Sequence, residues 1–558
     1  MKRLRRLENQ MSGYMERPRR WARGARCALQ GCFGSVGTAL RALCFGYAFF
    51  LALVYYSYFT MPGVADASKM DLLVFPILPA VVASCLYPRL LRWCQSAMSA
   101  GKMTREGETF YFATCAASLF LAWMPVFLAY YPGLFTYDAY DQLLQILTNA
   151  YSAHHPLLHT WLFGVFYRLG EFLGNFTLGM ALYTLMQMLA LAISIAYMLL
   201  FLRELGWNKA LRMAVLAFFA LMPFVSVLAV SMTKDVLFCA AFAALFVHLC
   251  RGLCIDGLLR SRAYGITLTV LAVLVGLLRN NGVFALAFLL LAAIIAAVLK
   301  KTGWRLALLT ACSLLLTLAC SRALIGGFHA RGASMNEALS VPYQQIAAVY
   351  HSYGDSLCEE EQEAVEHFIP DVRDYYPTIA DMVKGTARAA EDLPGFISLY
   401  VRLLRSYPQT YVRAALEVTQ GYWALGDTTH ASMYGYGLEK RLGYLSTNMV
   451  GDSGIEHHTY LAPLESLYER LFSANEYLLI PFFRYLFSPA LYIWLIALCL
   501  MFAFELKSGR TALPAALLLG LIATILAGPC CLIRYALPYI VCVPALWGIV
   551  FYRPVLAR

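Results

Sequence analysis

The residues Tyr131-Pro-Gly-Leu-Phe-Thr-Tyr-Asp138-Ala-Tyr-Asp141-Gln142, followed by His154-His155-Pro156, stand between two apolar runs near 110–130 and 178–202. Each run is long enough to cross a hydrocarbon core, which takes about 20 apolar residues. The stretch between them holds two carboxylates and two imidazoles at the edge of a membrane. Ionisable groups are costly there and usually mark function. Tyr131, Phe135, Tyr137 and Tyr140 suit the headgroup level, where amphipathic rings anchor a chain. A solvated loop with aromatic anchors is the plainer reading, but such a loop has no need of His-His-Pro.

Working outward, the chain has 558 residues, 60% of them hydrophobic and only 14% charged, with a mean hydropathy of +0.62. These values exclude a soluble globular protein and indicate an all-α polytopic membrane protein. The apolar runs predict about twelve transmembrane helices, near 40–60, 71–88, 110–130, 178–202, 210–231, 235–250, 264–279, 283–299, 306–325, 480–504, 512–530 and 533–551. The first run starts late and is long enough to span, so it does not read as a cleavable signal peptide.

The net charge of +11 sums two opposite balances. Between Gly326 and Asn475 there are 19 acidic and 10 basic residues (−9), which leaves 34 basic and 14 acidic elsewhere (+20). The basic residues gather at Lys2 to Arg26, Arg89 to Arg105, Arg203 to Arg212, Arg251 to Arg262, Lys300 to Arg305, Lys507 to Arg510 and Arg553 to Arg558. With twelve spans, all seven clusters fall on the side of the N-terminus. Lysine and arginine stay cytoplasmic, so both termini are expected inside a bacterial plasma membrane, with the basic arm on anionic lipid and no nucleic-acid partner. Pro156 to Gly170 is short and carries His159 and Arg168. A crossing there would turn five basic clusters outward, so it reads as an amphipathic helix on the outer surface.

Four regions follow. Residues 1–109 form a basic arm and a two-helix accessory hairpin. Residues 110–325 form a transmembrane core with an outer loop over 131–177. Residues 326–475 form a mostly helical extracytoplasmic segment, and residues 476–558 supply the last spans. In the outer segment, Cys358 to Phe368 reads as an acidic helix, and Phe396 to Tyr407 and Thr410 to Thr419 have helical spacing, with Pro408 between them. The 16 cysteines show neither a disulfide framework nor metal-ligand spacing and read as small packing residues.

On this topology the polar motifs converge on the outer face. Asp138, Asp141, His154 and His155 lie in the outer loop after the third span, and Thr233-Lys234-Asp235 at the next outer turn. Arg279-Asn280-Asn281-Gly282 lies at a third, and Arg534-Tyr535 at the outer end of the last span. Arginine and lysine neutralise a phosphate, arginine as a bidentate fork, and a carboxylate can take a proton from a hydroxyl. Taken singly, Lys234-Asp235 also fits a helix-capping pair, Arg279 to Gly282 a tight turn with a snorkelling arginine, and His154-His155-Pro156 a helix start. Their shared sidedness is what argues for a site.

The motifs YPGLFTYDAYDQ (131–142), HHPLLHT (154–160), TKD (233–235) and RNNG (279–282), with SVPYQQIAAVY from Ser340 to Tyr350, resemble the C-type glycosyltransferase (GT-C) superfamily, in particular a bacterial group of multi-pass proteins within it. The likeness covers roughly residues 110–550. It implies a GT-C-like fold, with surface helices in the first catalytic outer loop. It also implies transfer of a sugar from a polyprenyl-phosphate carrier to an extracytoplasmic acceptor: a cell-envelope glycan, lipid or protein. By that likeness Asp138 matches the superfamily's catalytic acidic residue, with Asp141 as its neighbour. His154, His155, Lys234, Asp235, Arg279, Asn280, Arg534 and Tyr535 become substrate contacts. Two departures stand out. The second motif is Lys-Asp rather than a pair of acids, so no metal is assigned, and a divalent cation or other cofactor has no support. The outer segment also precedes the last three spans, where many relatives carry a C-terminal soluble domain. The rival readings are a transporter or lipid flippase and a non-catalytic scaffold, but the spans are clean at mid-depth, where transporters place polar residues.

The topology is open to test. Cys358 should react with an impermeant maleimide in intact cells, with a Cys358→Ser control. Labelling only after permeabilisation would overturn the arrangement.

Overall fold

The computed structural model describes residues 36–60, 73–98, 107–135, 137–300, 303–425, 453–472 and 476–552. The basic clusters Lys2 to Arg26 and Arg553 to Arg558 lie outside the described residues. Helices dominate, as hydrocarbon demands: with no water present, backbone N–H and C=O groups must pair within their own segment. Among the described residues eight helices are long and apolar enough to cross a membrane, or nine if a bent pair counts as one span. The chain is an all-helical membrane protein.

It divides into two compact units. One gathers the described part of Met1–Ala97 with Met501–Lys507, and the other Met98–Leu500 with Ser508–Arg558. In the first unit lie α1 (Val36–Thr60) and most of α2 (Ile77–Met98). There Glu505 accepts hydrogen bonds from Thr38 Oγ1 at 2.8 Å and Arg41 Nε at 2.5 Å.

Counting helices of eight residues or more, the second unit continues with α3 (Glu108–Ala129), α4 (Tyr137–Thr148), α5 (Leu157–Phe172), α6 (Phe176–Glu204), α7 (Lys209–Leu221), α8 (Pro223–Val230), α9 (Lys234–Cys254), α10 (Arg262–Leu278), α11 (Asn280–Lys300) and α12 (Trp304–Gly327). The segment 326–475 holds α13 (Ser340–Tyr353), α14 (Glu359–Phe368), α15 (Leu393–Ser406), α16 (Pro408–Thr419) and α17 (Ala462–Phe472). The chain closes with α18 (Pro489–Glu505), α19 (Ala512–Leu526) and α20 (Ile533–Phe551).

Several expected boundaries need correction. The span expected near 71–88 is a helix over Ile77–Met98, so Arg89 and Arg92 sit on a helix and not in a connection. The run 210–231 is two helices bent by 55°, because Pro223 opens a new helix after the extended Met222. Proline lacks the N–H that would continue α7 but suits a first turn. The run 480–504 becomes helical for its span only from Pro489, and α10 and α18 are 17 residues each. Asp138 and Asp141 lie on α4 and not in an open loop.

The element that positions the polar motifs is very small. β1 (Leu134–Phe135) pairs in parallel with β2 (Ser231–Met232), Leu134 opposite Ser231 and Phe135 opposite Met232. Counting onward, Asp138 lies three residues past Phe135, and Lys234 two past Met232. The ladder thus delivers both side chains to one place. Gln187 of α6 holds it from behind, donating from Nε2 to Ala229 O at 2.9 Å and Ser231 O at 2.7 Å. Gly133 leads into β1 at φ 135°. A Cβ there would lie 2.5 Å from Thr184 Oγ1 and 2.9 Å from Val230 O.

The segment 326–475 has its own core. Phe396, Leu399 and Leu403 form one face of α15, packed with Val365, Phe368 and Tyr411. Burying such a side chain contributes roughly 1.5–3 kcal/mol. Pro408, expected as a break, is the first residue of α16.

Gly133→Ala should lower thermal stability in detergent by on the order of 2 kcal/mol. Gly174→Ala, at φ 70° with nothing within 4 Å of its Cβ, should cost less. Equal losses at both positions would contradict the close packing at the ladder.

Candidate functional site

Asp138 stands in the first turn of α4, where a helix N-terminus favours a carboxylate. Its Oδ2 accepts from Lys234 Nζ at 2.7 Å and from Arg534 Nη1 at 2.8 Å. Thr233 caps α9 by accepting from the Asp235 N–H, which fixes Lys234 and Asp235 at the helix start. Asp235 Oδ1 accepts from Arg279 Nη1 at 2.5 Å, and its Oδ2 lies 3.5 Å from Arg534 Nη1. Arg279 is one extended residue between α10 and α11. The corner is tight, since a Cβ on Gly282 would lie 2.2 Å from Val275 O. Tyr535 carries both arginines on its ring, Arg279 Cζ at 4.4 Å and Arg534 Cζ at 5.1 Å from its centroid.

A five-membered chain results: Lys234, Asp138, Arg534, Asp235, Arg279. It lies at one end of the bundle, at the N-termini of α9, α11 and α20 and the C-terminus of α10. The opposite end carries Glu204 paired with Arg251, and Arg203 bonded to Gly107 O. Exposures run from 1% for Asp235 to 14% for Lys234. Three cations against two carboxylates leave an excess of one positive charge. Arg534 Nε is buried and has no hydrogen-bond partner among the described residues. An unmatched buried charge is expensive, so this end of the bundle is suited to receive an anion.

Burial alone would raise the pKa of Asp138. The charges of Arg534, then Lys234 and His155, outweigh it and hold the carboxyl well below the usual carboxylate range. Its stability contribution is therefore full above the unfolded value near about 3.9 and is lost only as pH falls through the lower folded value.

The remaining expected residues divide. His155 Nδ1 lies 3.3 Å from Lys234 Nζ, and its Nε2 lies 3.5 Å from Asp141 Oδ2. Asp141 is 56% exposed and joins the cluster only through His155. His154 is half-buried and reaches outward, with Nδ1 4.0 Å from Glu337 Oε1. Burial, then His155, lowers the basicity of His154. Asn280 is exposed and only braces the loop, donating to Ala153 O at 3.4 Å. Among the described residues no group of three or more His, Cys, Asp and Glu is poised to hold a metal ion.

Sequence reasoning missed the support behind the site. Gln142, four residues beyond Asp138 on the same face of α4, donates to Thr160 Oγ1 at 2.8 Å and meets His159 Nδ1 at 2.9 Å. His159 Nε2 in turn meets the Tyr183 hydroxyl at 2.6 Å. Burial, then the charge of Lys234, pushes His159 down to about 3, so it stays neutral. The signal was present as isolated polar residues in apolar helices at i, i+4 from other polar ones. The segment 326–475 also reaches the site: Ala380 N donates to Pro529 O at 2.8 Å, and Ile379 bridges Cys530, just before Arg534.

The family described as "Family of unknown function (DUF6020)" matches residues 147–553, which is 407 of the 558 residues. The chain belongs to that family. The DUF6020 match takes in His154, His155, Lys234, Asp235, Arg279, Asn280, Arg534 and Tyr535, and begins just after Asp138 and Asp141. No curated protein and no solved structure matches the chain.

Asp138→Asn should destabilise the protein by on the order of 3 kcal/mol, because it leaves two buried cations short of a counter-charge. Adding Lys234→Met should restore part of the loss, a coupling readable in a double-mutant cycle of thermal unfolding. Strictly additive losses would argue against the shared pairing.

Proposed function

We propose that this protein is a GT-C-type membrane glycosyltransferase that moves a sugar from a polyprenyl-phosphate carrier to an extracytoplasmic acceptor. The proposal includes twelve spans, with both termini in the cytoplasm and the site on the outer face of a bacterial plasma membrane. The observation that carries it is the buried surplus of positive charge around Asp138, with an unpaired Arg534 Nε. A phosphate is the anion such a fork suits, and a lipid-borne phosphate is the form that reaches a membrane-edge site.

In the resting state Asp138 is a counter-ion and a weak base. On this reading the donor phosphate takes over Lys234 and Arg534 and frees the carboxylate. Asp138 then accepts the proton of the acceptor hydroxyl as that oxygen bonds to the sugar's anomeric carbon. The bond from that carbon to the phosphate oxygen breaks, and polyprenyl phosphate departs with the electron pair. Lys234, Arg279 and Arg534 stabilise the charge that develops on it, the main electrostatic contribution. Asp235 and Tyr535 hold the arginines in place.

The test is a transfer assay on protein in nanodiscs, offered a panel of polyprenyl-phosphate sugars and, separately, nucleotide sugars. Asp138→Asn, normalised to folded protein, should lose roughly a hundredfold or more, and Asp141→Asn less. Lys234→Ala and Arg279→Ala should weaken donor use, with Arg279→Lys recovering part of it. Full activity in Asp138→Asn, or use of a nucleotide sugar without lipid carrier, sinks the reading. Lipid translocation without transfer would favour a flippase.

A further inference from the structure

We infer that His155 and Asp141 form the proton exit of this site, carrying the proton gathered at Asp138 to solvent; the inference rests on the transfer reaction proposed above. Three observations converge on the ring. His155 is 3% exposed, and its Nδ1 lies 3.3 Å from Lys234 Nζ. An ammonium only donates, so Nδ1 accepts and Nε2 carries the ring hydrogen. That Nε2 is buried and has no hydrogen-bond partner among the described residues. It faces Asp141 Oδ2 at 3.5 Å, across a gap that a small turn of the half-exposed carboxylate closes. A buried N–H left unpaired costs roughly 1–3 kcal/mol, and a Gln or Asn that paired there would be the cheaper structural choice.

The geometry is a line from the inside of the site to water: Asp138 Oδ2, Lys234 Nζ at 2.7 Å, the two nitrogens of His155, then Asp141. Each transfer releases one proton, since an O–H bond is broken and the carrier leaves as a phosphate monoester. Once the carrier phosphate has left and Lys234 has returned to Asp138, the proton on Asp138 replaces one that Lys234 passes to His155 Nδ1. The ring gives up its Nε2 proton to Asp141, which exchanges with water. The ring's original tautomer returns by rotation or by exchange through Asp141 before the next turnover. Charged and titratable groups around the ring are Lys234 from α9, Asp138 and Asp141 from α4, His159 from α5, and His154, whose ring centroid lies 4.7 Å away. Beyond His154 stands Glu337.

His155→Gln keeps the shape and can bond both Lys234 and Asp141, but it cannot carry a proton. In the nanodisc assay at saturating donor it should lower kcat roughly tenfold or more, leave the donor KM near wild type and enlarge the solvent deuterium isotope effect. Added imidazole should restore much of the rate in His155→Ala, which vacates the ring's space, and Asp141→Asn should show a smaller loss of the same kind. Loss of kcat with no imidazole rescue and an unchanged isotope effect overturns the relay and leaves the transferase reading intact. Wild-type rates in His155→Gln do the same. Absence of transfer by the wild-type protein overturns both.

Discussion

One carboxylate oxygen, Asp138 Oδ2, is shared by Lys234 and Arg534. That sharing ties the first turn of α4 to the starts of α9 and α20, two helices buried over most of their apolar length. The three elements are distant in the chain, Asp138 and Arg534 by 396 positions. Two charged groups taken out of water repay their desolvation only when geometry is good and further hydrogen bonds are made. Here the further partners are Asp235, Tyr535 and Arg279, so the pairing stands or falls as a group. The two-residue ladder and the Gln187 clamp matter because they set the positions from which the group can form.

The arrangement is also strained in its charge balance. A structural ion network in a membrane protein would be expected to close at zero, since an uncompensated charge at low dielectric is severely penalised. This one closes at zero only if Asp141 is counted, and Asp141 is mostly in water and reaches the cluster through an imidazole. Nearby, Lys384 is held by Glu337 and Asp381 at 2.6 and 2.7 Å. Those carboxylates are already engaged, so they add little neutralisation to the arginines. The imbalance and the orphaned Arg534 Nε point the same way.

How much of this was legible depended on the range of the interaction. Helices α6, α9 and α20 follow from unbroken apolar runs, and the common end reached by the 138, 234, 279 and 534 motifs follows from counting spans. The break at Pro223 was available too, because proline within an apolar run is a direct backbone signal. The ladder was not: two residues are too few for alternation to show. In the sequence Arg534 is a single cation near a span end, and only tertiary structure brings it to Asp138. His159 and Gln142 were hidden for the opposite reason, being single polar residues in helices whose patterns are dominated by what surrounds them.

The lowered proton affinity of Asp138 argues at first sight against a base, because a carboxylate held anionic by two cations binds protons poorly. On the proposed reading this is the useful state before the donor arrives. An incoming phosphate carries the charge that both cations seek, and each contact it takes over removes one of the influences that hold Asp138 acidic. The base is strengthened by the same exchange that seats the leaving group. Its activation is thus coupled to donor occupancy through two shared cations, with no moving domain required. The cost is the ground-state stability of the ion pairs, which the phosphate contacts must match. That requirement favours arginine, whose fork can hold a second oxygen before it releases the first.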